Sequence, residues 1–475
     1  MRSIQAHPWA WGAAGVAVSL ALGLSWCIAQ SPLTLYDGLG PILDSVRSAS
    51  LADRFYGGLY SVGYWRPLRL AQIKAVVDLS AGNPIPYFTA VHVGLVGATF
   101  VLFAVWVRPR SFAEFTAAAI ALTVLAGHHG FFVLFSEAYP INHFLEIVVL
   151  TLVVAVMARG DPRWWKDVLA SLLLAIGALT LESGLLIGVA AAACRLVGWR
   201  GISWRGASAA LVLVAAYFWI RFVVLGIPSP DLAERASGWW LSRLEAEEIA
   251  RRFGAHPLPL YAYNVMAGLV GALLSEPKQG VWSFVRRLLD GNVRPWMAMQ
   301  IVSSVLVTGA MVAALPVALS HWRRRVIDDR DRFVLLAFAM LAANAVLAFS
   351  YVKDEVLSVG VGFYAAGAFA VLAGLSDRLR TRRGAAAAVG ALLLVATSVL
   401  WSARTVGTFF ALQRHAYTVA TDWAMYSLAQ ELPRDWDFGP TRQLFLELQR
   451  RNIARDVPHP AFTKQRYVDE LLEVE

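Results

Sequence analysis

Eleven apolar runs divide this 475-residue chain, at 8–30, 87–107, 111–127, 144–158, 167–181, 183–198, 207–226, 296–318, 333–350, 357–375 and 384–402. Apolar runs of about 18 or more residues are the signature of membrane spans. In lipid a helix satisfies its own backbone hydrogen bonds, which an open strand cannot do. The composition agrees, with 58% hydrophobic residues and 16% charged ones. The expected fold is an all-α polytopic membrane protein of about eleven transmembrane helices, with amphipathic surface helices in long outer loops. Only Arg2 precedes the first run, and Trp26-Cys27-Ile28-Ala29-Gln30 is a poor cleavage site, so an uncleaved first helix is expected. Both cysteines, Cys27 and Cys194, lie inside apolar runs, so no disulfide framework is implied.

Loop charges set the direction of threading. The runs at 167–181 and 183–198 could form a hairpin or fuse into one helix of about 30 residues. With a hairpin and the N-terminus inside, the short inner loops hold Arg108 and Arg110, then Arg159, Arg163 and Lys166, then Arg195, Arg200 and Arg205. Further inner loops hold Arg323, Arg324, Arg325, Arg330 and Arg332, and Arg378, Arg380, Arg382 and Arg383. The short outer loops, near 128–143, 182 and 351–356, hold Lys353 alone among the lysines and arginines. Fusion would export the two most basic loops, so the positive-inside rule favours the hairpin. The net charge of +9 is then a topology signal, and nucleic acid is excluded as a partner.

This arrangement divides the chain into a membrane module at 1–226 with its first outer loop at 31–86, a second outer loop at 227–295, C-terminal spans at 296–402 and an outer tail at 403–475. Amphipathic stretches such as "DSVRSASLADRFYGGLY" and "GVWSFVRRLLDG" are expected along the membrane surface. The tail reads as a helix near 405–431, a turn at "PRDWDFGP" and a second helix near 441–452.

Charged groups at the edge of a bilayer are costly, which makes each a functional candidate. Asp37 follows the first span in "SPLTLYDGLGPILD" and reads as a helix cap or a site carboxylate, with Asp44 two helical turns further on. In "GYWRPLRLAQ", Pro67 biases Arg66 towards an extended backbone, and Arg69 follows one turn later. A planar guanidinium beside Tyr64 and Trp65 suits bidentate phosphate recognition, or an arginine that snorkels to lipid headgroups. His92 lies inside a span. His128 and His129 end another and are followed by Glu137, His143 and Glu146. These lack metal-ligand spacing such as HExxH, so neutral hydrogen-bonded imidazoles are expected and no metal site is assigned. Glu182 occupies the tight hairpin turn, as a cap or a site carboxylate. Arg221 in "YFWIRFVVLG" either snorkels or points into an outer cavity. No Walker motif, Gly-rich dinucleotide loop or GxSxG elbow appears.

The order of these elements resembles the GT-C superfamily of integral-membrane glycosyltransferases, which use polyprenyl-phosphate sugars as donors. The resemblance rests on "LYDGLGPILD", "YWRPL", "AGNPIPYFTAVHVGL", "HHGFFVLFSEAYPINHFLE", "LTLESGLLIG" and "YFWIRFVVLG", and covers about 8–226. Two positions depart from it: Gly38 follows Asp37 where many members carry an acidic pair, and Leu181 precedes Glu182 where many carry lysine. The resemblance implies a multi-pass protein of the cytoplasmic (inner) membrane with its active site facing the exterior. It implies a polyprenyl-phosphate sugar donor, a glycan, lipid or protein acceptor, surrounding membrane lipids and a divalent metal as an optional cofactor. Asp37, with Asp44 as second candidate, is then the general base. Arg66, Arg69 and Arg221 hold the donor phosphate, and Tyr64, His92, His128, His129, Glu137 and Glu182 line the cavity. A secondary transporter, a lipid-sugar flippase or a non-catalytic envelope-assembly protein are the competing classes; the absence of an internal repeat weighs against the first two.

Overall fold

The computed structural model describes residues 8–429 apart from 35, 60–62, 81–83, 137–140, 230–231, 233–234, 277 and 382, and without the side chains of 36–38 and 423–429. The fold is almost entirely helical. Helix α1 (Pro8–Gln30) leads into a surface layer of α2 (Tyr36–Arg47), α3 (Leu51–Leu59) and α4 (Pro67–Leu79). Helices α5 (Ile85–Val107), α6 (Phe112–Gly127), α7 (His129–Ser136), α8 (His143–Ala158), α9 (Trp164–Thr180), α10 (Leu185–Leu196) and α11 (Trp204–Trp219) follow, the last running into a π-helical turn at Ile220–Val224. After a two-stranded hairpin, Ser237–Trp239 against Ser242–Leu244, come α12 (Ala246–Phe253), α13 (Leu258–Leu274) and α14 (Ser283–Leu289). The long helices α15 (Pro295–Arg323), α16 (Asp329–Leu347), α17 (Ser358–Thr381) and α18 (Ala385–Ala429) complete the bundle.

Every apolar run falls on a helix, but among the described residues only six helices are long and apolar enough to cross a membrane, or seven if the bent pair α6–α7 counts as one. Length and charge separate the rest. Helices α8, α9 and α10 have 16, 17 and 12 residues, and α16 opens on Asp329, Arg330, Asp331 and Arg332. The break between α6 and α7 comes at His128, whose extended backbone (ψ 133°) bends the pair by 61°.

The hairpin at 167–198 is present as two helices reversing at Glu182–Gly184. Two other expectations need correction. Residues 227–295 are not only a surface loop: α13 is a charge-free helix packed into the bundle through Tyr263, Asn264, Ala267, Gly268, Gly271 and Ala272. The boundary expected at 402/403 does not interrupt the chain, because α18 runs unbroken for 45 residues. The tail helix expected near 441–452 lies outside the described residues.

Helix α17 forms the axis. It is rich in Gly and Ala, and its buried face lets α6 and α16 approach closely, as small residues do in membrane bundles. At one end of the bundle Trp106 meets Trp199, Phe333 and Phe363 edge-on, with ring centroids 5.0–6.0 Å apart. At the other end the surface layer packs through Leu33, Leu39, Ile42, Ile73 and Ile141.

Candidate functional site

A cavity of about 290 Å³ lies where the start of α4, the α9–α10 turn, the π-helical end of α11 and the loop after α16 meet. Its charged lining residues are Arg66, Glu182 and Arg221. Arg66 is the N-cap of α4, fixed by Pro67 in the first turn. Trp65 turns inward against Tyr217, ring centroids 4.9 Å apart, which leaves Arg66 directed at Glu182. The Arg66 Nε and Nη2 groups donate to the same Glu182 oxygen, at 2.8 and 2.6 Å, and the guanidinium covers the Tyr64 ring at 4.1 Å. Burial works against the Arg66 charge. The Glu182 carboxylate more than offsets it, with Tyr351 and Tyr64 adding to the effect, so the guanidinium is held above its usual pKa.

Glu182 reaches this position because of the glycine two residues on. A Cβ at Gly184 would sit 2.0 Å from the carbonyl carbon of Gly177, so the turn crosses α9 at backbone contact. Arg221 arrives from α11 through the π-helical turn, a distortion frequent at functional sites. Its Nη1 donates to Glu182 Oε1 at 3.3 Å and to the Tyr217 hydroxyl at 3.4 Å, and its Nη2 donates to the Gly63 carbonyl at 2.8 Å.

Two guanidiniums therefore share one carboxylate, and the cavity keeps a net positive charge. Arg235 adds a third cation at its edge, donating to the Tyr64 hydroxyl at 2.7 Å and stacking on Tyr351 at 4.9 Å. The walls are apolar: Phe144, Phe218, Phe222, Leu347 and Phe349. Phe218 and Phe222 stack at 6.0 Å on the exposed flank of α11. A positively charged niche with an apolar flank fits an anionic headgroup carrying a hydrocarbon tail.

Four of the residues expected from the sequence, Tyr64, Arg66, Glu182 and Arg221, thus meet in one cavity. Arg69 lies one turn along α4, with its charge close to His143. Asp44 lies away from the cavity, exposed on α2 and 3.7 Å from Arg47. The side chain of Asp37 and the whole of Glu137 lie outside the described residues. The histidines bind backbone and carboxylate instead of lining this cavity. His92 Nε2 is 2.8 Å from the Leu134 carbonyl. His128 Nδ1 accepts from the Gly130 amide, so its Nε2 donates to the Ala272 carbonyl at 2.8 Å. His129 Nε2 lies 2.9 Å from Asp354. Among the described residues no three His, Cys, Asp or Glu side chains are placed to hold a metal ion.

Sequence reasoning assigned no role to Tyr217, although it opens the quoted "YFWIRFVVLG", and missed Arg235 and Tyr351, which lie in segments with no motif. It also missed Arg404, buried in α18. That guanidinium donates to the Gly127 and Gln300 carbonyls and to the hydroxyls of Ser275, Ser303 and Ser304, at 2.7–3.2 Å, and covers Trp401 at 4.0 Å. A cation on an apolar helix, in "LWSARTVGT", was the available signal. In comparisons with known proteins the chain matches no family model, no curated protein and no solved structure.

Proposed function

We propose that the protein is a membrane glycosyltransferase that moves a sugar from a polyprenyl-phosphate donor to an acceptor of the cell envelope, a glycan, lipid or protein, at the outer face of the cytoplasmic membrane. The observation that carries this reading is the Arg66–Glu182–Arg221 cluster inside an apolar-walled cavity. The donor's phosphodiester occupies the positive niche and its prenyl chain leaves past Phe218 and Phe222. An acceptor hydroxyl attacks the anomeric carbon, the bond from that carbon to the phosphate oxygen breaks, and the lipid phosphate departs with the negative charge. Arg66 and Arg221 stabilise that charge as it develops. Glu182 has both oxygens engaged by guanidinium N–H groups, so it orients the arginines. The acceptor's proton goes to Asp37 in the first outer loop.

A flippase or transporter could use the same niche for the same lipid, and an assembly protein need bind no donor. The test uses purified protein, polyprenyl-phosphate sugar and a membrane extract. Wild type transfers sugar. Asp37→Asn binds donor but turns over about a hundred- to ten-thousand-fold more slowly, the usual contribution of a general base. Donor binding by wild type without transfer favours the flippase, and full activity of Asp37→Asn removes the mechanism.

A further inference from the structure

A second cavity, of about 490 Å³, lies among α1, α5, α8 and α16 at the opposite end of the bundle from the Arg66 niche. Helices α8 and α16 fix that placement. Phe144 and Leu347 line the first cavity, while Arg159 and Asp329, at the other ends of the same helices, line the second. The 19 residues of α16 span about 28 Å, close to the thickness of a bilayer core. The two cavities therefore face opposite leaflets.

The second cavity is built from two unlike halves. One half is basic, with Arg108, Arg110, Arg159 and Arg332 around a single carboxylate, Asp329. Asp329 is already engaged, 2.9 Å from Arg159 and 2.8 Å from Arg332. Arg159 also donates to the Trp106 carbonyl, and Arg332 to that of Val197 at 3.2 Å. Among the described residues no carboxylate pairs with the guanidinium of Arg108 or Arg110. Both are exposed, and their charges act on Arg159. Arg108 caps α5 in the left-handed region at φ 45° directly before Pro109, a conformation disfavoured on both counts. The other half is apolar. Ala10 and Ala14, one turn apart on α1, leave a shallow channel beside Val105, with Trp11 exposed at its rim.

We propose that this cavity binds an anionic phospholipid of the leaflet opposite the Arg66 niche, its phosphate between Arg108 and Arg110 and an acyl chain along Ala10, Ala14 and Val105. A soluble anion has no use for the apolar channel, and a zwitterionic lipid brings a cation that the four arginines repel. Basic pockets between membrane helices are a recognised way of holding acidic lipids. The site stands independently of any glycosyl transfer.

Native mass spectrometry of the full chain in detergent tests this, with phosphatidylglycerol, phosphatidylcholine and inorganic phosphate as probes. Wild type binds phosphatidylglycerol at least about tenfold more tightly than phosphatidylcholine. Each arginine near a charged lipid surface is worth about a factor of five. The Arg108→Gln/Arg110→Gln double variant therefore loses about 25-fold in phosphatidylglycerol affinity, and its phosphatidylcholine binding is unchanged. Ala14→Phe, which fills the apolar channel and leaves every charge in place, also weakens phosphatidylglycerol, and it decides the matter if the double variant does not fold. The proposal is overturned if either folded variant binds phosphatidylglycerol as wild type does. Equal wild-type affinity for the two lipids also overturns it, as does displacement of phosphatidylglycerol by equimolar inorganic phosphate.

Discussion

Arg66 places two N–H groups on one oxygen of Glu182 and keeps its remaining donors for the cavity. A lysine carries the same charge but only a point of it, on a flexible stem, and cannot form the fork. Arg66→Lys should still accumulate in the membrane while transfer falls about ten- to a hundredfold, the loss expected for one charged hydrogen bond. Unchanged transfer would make Arg66 an interfacial anchor. Glu276 offers a separate test, outside the site. Burial raises its pKa to about 7, with Asp354 adding to the rise and His129 and Lys278 opposing it. A carboxyl with a raised folded-state pKa binds more protons folded than unfolded, so its contribution to stability is lost as pH climbs from its usual 4.5 towards 7. Melting temperatures of wild type in detergent should decline over that window relative to those of Glu276→Gln; parallel curves would refute the assignment. Glu182 and Arg221 were legible in the sequence because each is a charge at the end of or inside an apolar run, and Arg66 because Tyr64, Trp65 and Pro67 flank it. Arg235 was not, because only the fold brings the segment after α11 back over Tyr64.

At the level of elements, the turn between α9 and α10 carries the site. A methyl group at Gly184 meets Gly177 backbone at 2.0 Å, and backbone cannot swing aside as a side chain can. Gly184→Ala should lower the melting temperature by several degrees and reduce transfer by displacing Glu182. Gly15→Ala, with nothing within 4 Å of the new methyl, should be neutral or slightly stabilising. Equal behaviour of the two variants would mean that the turn relaxes freely. The hairpin itself was readable, since the arginines of its neighbouring loops chose it over a fused helix. Helix α13 was missed for the opposite reason: its run lies between charged, proline-containing segments. The sequence thus resembled an outer loop until packing against α15, α16 and α17 revealed a core element.

For the whole molecule the test is orientation. A reporter fused after Arg205 should read cytoplasmic, and Lys353→Cys should react with a membrane-impermeant maleimide from outside, because this threading keeps the arginine-rich loops inside. The native Cys27 and Cys194 are buried and give little background. Labelling of position 353 only after the membrane is opened would invert the scheme. Loop charges carry the expected direction of threading, which the labelling tests; the number of spans was not legible. Hydropathy marks where a helix is apolar, but the run at 111–127 ends at His128 and goes on, bent, into α7, which was read as a loop, and the charges opening α16 remove it from the set with a full apolar length.

The unbroken length of α18 has a mechanical consequence. Val419, 34 residues beyond Ala385, stands about 51 Å along the axis, roughly 20 Å past the reach of a 30 Å hydrocarbon core. There it packs with Leu33, Leu39 and Ile42, in the layer formed with α2 and α4. The helix is therefore a lever whose fulcrum is the lipid. If a thinner or thicker bilayer changes its tilt by about ten degrees, the far arm swings by roughly 3–4 Å. That is about the length of a hydrogen bond, enough to shift the layer holding Leu39 and Ile42 against the rest of the bundle.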